Sequence, residues 1–170
     1  DSDIAAALVN EAEGDFVIEA ARSIRVVAEV NREAGPLTLR TMNATAEAGD
    51  GITIEAPLRV LGDLRLLTAG DITQADGARI VAGTLFAESR AGAVRLDASD
   101  NVIGALDGGR AAGHFAVASS RRLAVDAPID AASIVLTSAE GLSIFAPLTA
   151  TGDVTLVATG AEGVTQAASG

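Results

Sequence analysis

A short phrase recurs along this chain and limits its fold more than any other feature. Ile52-Thr53-Ile54-Glu55-Ala56-Pro57-Leu58, Leu123-Ala124-Val125-Asp126-Ala127-Pro128-Ile129 and Leu142-Ser143-Ile144-Phe145-Ala146-Pro147-Leu148 each alternate aliphatic with polar or small residues, break at Ala-Pro and resume with an aliphatic residue. Alternation puts the aliphatic side chains on one side of a strand, and Pro, which cannot donate to a ladder, marks a corner. Repeated strand and corner units predict a stack of similar turns, each burying its apolar side only against its neighbours.

The spacing gives the stack a step. The second and third copies stand 19 residues apart at Leu123 and Leu142 and again at Pro128 and Pro147, and the next strand slips to 20 at Ile134 and Val154. The first and third copies are 90 residues apart, and the match runs on through Gly62-Asp63-Leu64-Arg65-Leu66 against Gly152-Asp153-Val154-Thr155-Leu156. After Gly70 and Gly160 a two-residue insertion intervenes before Ile72-Thr73-Gln74 answers Val164-Thr165-Gln166. Such an offset fits about four to five coils of about 20 residues.

Composition agrees with a narrow interior. The chain is 49% hydrophobic but 2% aromatic, with four Phe and no Trp or Tyr, whereas a rounded core usually draws on large rings. Glycines fall where the alternation stops, at Gly35, Gly49, Gly51, Gly62, Gly70, Gly92, Gly141, Gly152 and Gly163, as corners require. Strand candidates are 16–18, 24–30, 37–41, 52–54, 64–67, 80–86, 94–97, 115–117, 123–125, 134–137, 142–145 and 154–158. Residues 3–13 fit either a helix capped by Asp3 or the first strand. The whole of 1–170 reads as a single solenoid segment of roughly eight coils, about 40 Å long at the spacing of neighbouring strands. It opens without a Met or a leader pattern and ends in mid-rhythm, so it reads as a piece of a longer chain.

Charge narrows the partners. Net charge is −11, and all 12 basic residues are Arg, which argues against nucleic acid or an anionic membrane as partner. With no cysteine, disulfides and thiolate metal sites are excluded.

Gly62-Asp63-Leu64-Arg65-Leu66-Leu67-Thr68-Ala69-Gly70-Asp71-Ile72-Thr73-Gln74, followed by Gly77-Ala78-Arg79-Ile80-Val81-Ala82-Gly83-Thr84-Leu85, resembles the repeat region of filamentous hemagglutinin-like proteins. Gly92-Ala93-Val94-Arg95-Leu96 through Asn101-Val102-Ile103-Gly104-Ala105-Leu106 is similar to a segment that often follows in that family. These are large secreted adhesins of Gram-negative bacteria exported by two-partner secretion. The resemblance implies a right-handed parallel β-helix acting as the shaft of a surface fibre. It also implies an extracellular or cell-surface location, an outer-membrane secretion pore as export partner, and a host-cell or bacterial surface receptor or glycan as target. Exposed ladder edges at the ends of such a segment add end-to-end self-association.

Candidate chemistry is sparse, and no cofactor is expected. His114 is the only histidine, too few for a His metal site or a triad, and reads as a strand-edge or corner residue. Asp97, Asp100 and Asp107 near Asn101 supply oxygens of the kind Ca²⁺ takes, but match neither the EF-hand nor the nonapeptide repeat spacing, so turn-forming acids are favoured. A carbohydrate-binding or carbohydrate-processing β-helix is the alternative. Its reactions need convergent carboxylates, whereas Glu55 with Asp126 and Asp63 with Asp153 are repeat-equivalent positions. An ice-binding face would need a ladder of Thr, and Thr53, Thr73, Thr155 and Thr165 are interrupted by other residues on intervening coils. Asn43-Ala44-Thr45 is a glycosylation sequon. Residues 104–113 carry too many glycines for a strand and read as the longest protruding corner. The partner-contact candidates are therefore Asp107, Arg110 and His114 in or beside that corner, together with Arg121 and Arg122.

Overall fold

The computed structural model describes the backbone of residues 2–3 and the whole of residues 14–167; the choice between helix and strand for 4–13 lies outside them. The fold is an all-β parallel solenoid of about seven turns, roughly 21 residues per turn, slightly fewer and longer coils than the sequence suggests. Two sheets run its length. The first orders β1 (Ser2–Asp3), β3 (Ser23–Val26), β6 (Gly51–Ile54), β8 (Asp71–Gln74), β10 (Val94–Leu96), β12 (His114–Ser119), β14 (Ser133–Ser138) and β17 (Val154–Ala158). The second orders β2 (Phe16–Ala20), β5 (Leu37–Thr41), β7 (Leu58–Thr68), β9 (Ile80–Ser89), β11 (Val102–Ala111), β13 (Leu123–Ala131), β15 (Gly141–Ile144) and β18 (Gly163–Gln166). Short β4 (Val30–Arg32) joins β7, and β16 (Leu148–Ala150) joins β13. Residues 24–30, expected as one strand, are split between β3 and β4, because the chain turns there from the first sheet to the second.

The interior is a set of stacked ladders. On the first sheet Ile24, Ile52, Ile72, Val94, Phe115 and Ile134 lie one above another in register and are fully buried. On the second, Leu37, Leu64, Leu85, Leu106 and Val125 do the same. The 19-residue step appears as pairing, with Leu123 beside Leu142 and Ile129 beside Leu148, and the slip to 20 appears as Ile134 beside Val154.

The 90-residue match has another meaning. Ile52 sits on the first sheet, while Leu142 sits on the second; Leu64 and Val154 are likewise on opposite sheets. The repeated phrase is therefore a half-coil unit, and the long offset aligns one wall of the solenoid with the other after about four and a half coils. The two walls answer to the same rule: aliphatic inward, a corner, aliphatic inward again.

The glycine-rich stretch at 104–113 is a correction. It forms most of β11, paired to β9 on one side and β13 on the other, with its register shifting between Leu106 and Gly109. Gly108 has φ +96°, which allows the bulge. A Cβ on Gly109 would stand 2.5 Å from the ring of Phe115, so glycine here makes room for the one aromatic ring fully buried in the interior. The Ala127-Pro128 corner is likewise carried inside the continuous strand β13, where register shifts past Asp126.

Among the described residues the longest excursion is elsewhere. Residues 42–50 connect β5 to β6, where the next coil needs only 69–70 to connect β7 to β8. This loop lengthens one coil, so that Leu37 pairs with Leu64, 27 residues on.

Candidate functional site

Loop 42–50 is built from polar contacts. Asp50 is its hub: the Arg22 guanidinium donates to both carboxylate oxygens at 2.9 and 3.1 Å, the Glu47 backbone N–H at 2.8 Å and Asn43 Nδ2 at 3.0 Å. The Arg22 hydrogen bond, then that from the Glu47 backbone, hold the Asp50 carboxyl below its usual range, and Asp50 with Glu47 raises Arg22. Arg90, from the far side of an intervening coil, donates to the Asn43 carbonyl at 3.0 Å. Asn43 Nδ2 also donates to Thr45 O at 2.9 Å, and Asn43 Oδ1 accepts from Thr41 at 2.7 Å. The sequon asparagine thus spends its amide on the loop, so a glycan there would displace structural hydrogen bonds. Nothing in the composition marked this loop; the only signal was the 27-residue interval between two aligned Leu positions.

The five candidate residues do not converge. Asp107 and Arg110 lie on the outer face of β11, exposed. Asp107 is 3.9 Å from Arg65, and Arg110 is in register between Glu88 and Asp130, a ladder of alternating charge. His114 opens β12, half-buried, with Nδ1 2.8 Å from the Ser133 hydroxyl. Arg121 and Arg122 follow the end of that strand, about 20 Å farther along at ~3.3 Å per residue. There Arg121 pairs with Glu140 at 3.6 Å and Arg122 with Glu162 two coils on.

The acids considered for catalysis or calcium are placed apart. Glu55 pairs with Arg25 at 2.7 Å, and Asp63 accepts from Thr84 at 2.7 Å. Asn101 is buried, and its amide links Gln74, Ile80 N at 2.8 Å and Leu96 O at 3.1 Å across a corner. Among the described residues no group of three or more His, Asp or Glu gathers in a way that could hold a metal ion. Thr53 and Thr73 are neighbours on the first sheet, but Arg25 and Arg95 flank them in the same row.

What the geometry does present is the outer face of the second sheet. The residues one step past the Leu37 to Ile144 ladder include Arg65 and Phe86, which are register partners, and then Asp107, Asp126 and Phe145 on the following coils, where the register shifts beside Asp107 and Asp126. The Arg65 guanidinium lies 4.7 Å from the centroid of the Phe86 ring. A shallow open depression lined by Val17, Glu19, Thr38, Arg40, Arg65 and Leu67 adjoins it on the amino-terminal side. At the other end Phe145 is 59% exposed beside a hollow of about 280 Å³ shared with Ala146, Pro147, Leu148, Gln166 and Ala167.

A family model described as repeats of unknown function (DUF5649) matches residues 41–107, from the end of β5 to the outer face of β11. No curated protein and no solved structure matches the chain.

Proposed function

We propose that this chain is a non-catalytic shaft or adhesive repeat segment of a secreted, cell-surface filamentous adhesin. The observation that carries the reading is the use to which the side chains are put: those facing inward stack in ladders, and the outward arginines are largely spent tying coils together. Arg22, Arg25, Arg40, Arg59, Arg65, Arg121 and Arg122 each lie within ion-pair distance of an acid on another coil. Exposed ion pairs add little stability singly, but a series along one axis resists shear between coils. A rod of about seven turns spans about 34 Å at the strand spacing, and length is what a shaft supplies. The resemblance of 62–85 and 92–106 to adhesin repeats points to the same role at the surface of a Gram-negative cell.

The test is deletion of this segment from the exoprotein that carries it, followed by electron microscopy of the fibres and a cell-attachment assay. The expected result is a fibre shortened by about 34 Å, with reduced attachment. Unchanged fibre length and attachment, accompanied by loss of a measurable turnover, would reject the reading.

A further inference from the structure

We propose that Phe145 and Asp126 form a docking point for an arginine side chain of a basic polypeptide partner. The chain contains a worked example of the contact. In the outer column of the second sheet, Arg65 lays its guanidinium 4.7 Å from the Phe86 centroid and reaches Asp107 at 3.9 Å, so ring, cation and carboxylate occupy three successive coils. Farther along the same column the ring and the carboxylate recur. Phe145 follows Ile144 at the end of β15, the register partner of Val125, and its N–H donates to the Val125 carbonyl at 2.9 Å, so it stands on the coil next to that of Asp126, which follows Val125.

At this second place the cation comes from outside the chain. Phe145 is 59% exposed and Asp126 is exposed. The arginines nearest in sequence, Arg121 and Arg122, are turned to Glu140 and Glu162. Glu55 and Asp126 fill the corresponding place in the other two copies of the recurring phrase, so an aromatic ring at 145 replaces a charge at an outward position. A planar guanidinium both stacks on a ring and hydrogen-bonds a carboxylate, a pairing of contacts that an ammonium fits less well. The net charge of −11 steers cationic segments toward the rod. This inference does not rest on the shaft reading: a chain that proves not to set fibre length would still carry the docking point.

The ¹⁵N-labelled chain is titrated with a hexa-arginine peptide at about 150 mM salt, where the Debye length is about 8 Å and diffuse attraction is screened. Hexa-glutamate and the neutral sugar maltohexaose serve as comparison ligands. Amide shifts are expected at 126 and 144–146 with the arginine peptide alone. Phe145→Ala and Phe145→Leu should each weaken binding about fivefold, since both remove the ring's π face. Phe145→Leu keeps most of the apolar bulk, so a loss with this variant is not a folding effect. Asp126→Asn should weaken binding severalfold, and Asp97→Asn, an exposed acid in another turn, by less than twofold. Equal losses with Asp97→Asn, or no loss with Phe145→Leu, would show undirected attraction to an acidic surface and overturn the proposal. Maltohexaose shifting Phe145 where the peptide does not would overturn it in favour of a sugar.

Discussion

The amino-terminal and carboxy-terminal coils fill the same ladder positions differently. At the end of the second-sheet strands three successive coils place Thr41, Thr68 and Ser89, all buried, where the coil before them places Ala20 and the later coils place Ala111 and Ala131. Thr41 and Thr68 share a hydrogen bond of 2.8 Å, and Ser89 Oγ donates to Gly70 O at 2.6 Å while accepting from Gly92 N at 3.0 Å. These hydroxyls serve corner backbone that the ladder leaves without partners. At the same corner of the later coils amides find carbonyls directly, as Ala132 N does at Gly113 O and Gly152 N at Ala132 O, and alanine suffices; the buried hydroxyls there stand at the ends of first-sheet strands, where Ser119 accepts from Ile103 N and Ser138 from Gly141 N, each at 3.1 Å. A solenoid position is thus set by two demands, the thickness of the interior and the hydrogen bonds of its corner. The polar demand is met on the second sheet next to loop 42–50 and buried Arg32, which donates to the Pro36 carbonyl at 3.1 Å, and on the first sheet in the later coils, at buried Ser119 and Ser138.

The largest effect should follow a charge placed in a shared ladder. Ile54→Asp and Leu66→Asp bury a carboxylate in a site with no exposure, and each should lose at least ~4 kcal/mol. Because each coil is held by its neighbours, thermal unfolding followed by circular dichroism should lose more signal than one coil contains; an unchanged melting transition would break the comparison at its base.

Gly109→Leu comes next, since its side chain must enter the space of the Phe115 ring. A loss of about 1–3 kcal/mol is expected from overpacking. Combining it with Phe115→Ala should recover most of that loss, and a double-mutant cycle with no coupling would refute the account of this glycine.

Ser89→Ala tests the corner demand directly. It should cost about 1–2 kcal/mol by stranding the Gly92 amide, whereas Ala131→Ser in the later coils should gain nothing. Equal responses in urea unfolding would mean the two halves do not differ in this way.

The smallest effect is on pH dependence. Asp50 has its pKa lowered in the folded chain, first by the Arg22 hydrogen bond, so its contribution is present above the ordinary carboxylate range and is lost as pH falls through the lowered value. Asp50→Asn should flatten the acid side of the stability profile, with hydrogen exchange changing at 42–50 first. An acid limb identical in both proteins would show that Asp50 does not contribute to it.

The sequence made the ladders legible and concealed the corners. Inward positions were visible because their apolar character repeats with a fixed step, and Leu123 with Leu142 fell in register as the spacing indicated. The phrase did not reveal that Ile52 and Leu142 face different sheets, since both walls obey one hydrophobic rule. Residues 104–113 read as a protruding corner by propensity, because the need to admit Phe115 is a cross-coil demand that local composition does not carry. On the outer face, Asp107 reads in the sequence as part of a protruding corner, yet its neighbours Arg65 and Phe86 lie 42 and 21 residues back and are joined to it only by the stacking of coils. Loop 42–50 has ordinary turn residues; what sets it apart is its contacts to Arg22 and Arg90, which come from other coils.

The stack itself is tested most directly by one distance. The chain has no cysteine, so spin labels attach cleanly to Thr53→Cys and Thr155→Cys. These outward positions share one row of the first sheet, separated by five ladder steps through Thr73, Arg95, Ala116 and Val135. Double electron–electron resonance should return a narrow distribution centred near ~24 Å. A broad distribution, or a centre that no whole number of strand spacings can produce, would contradict the coil register on which the account depends.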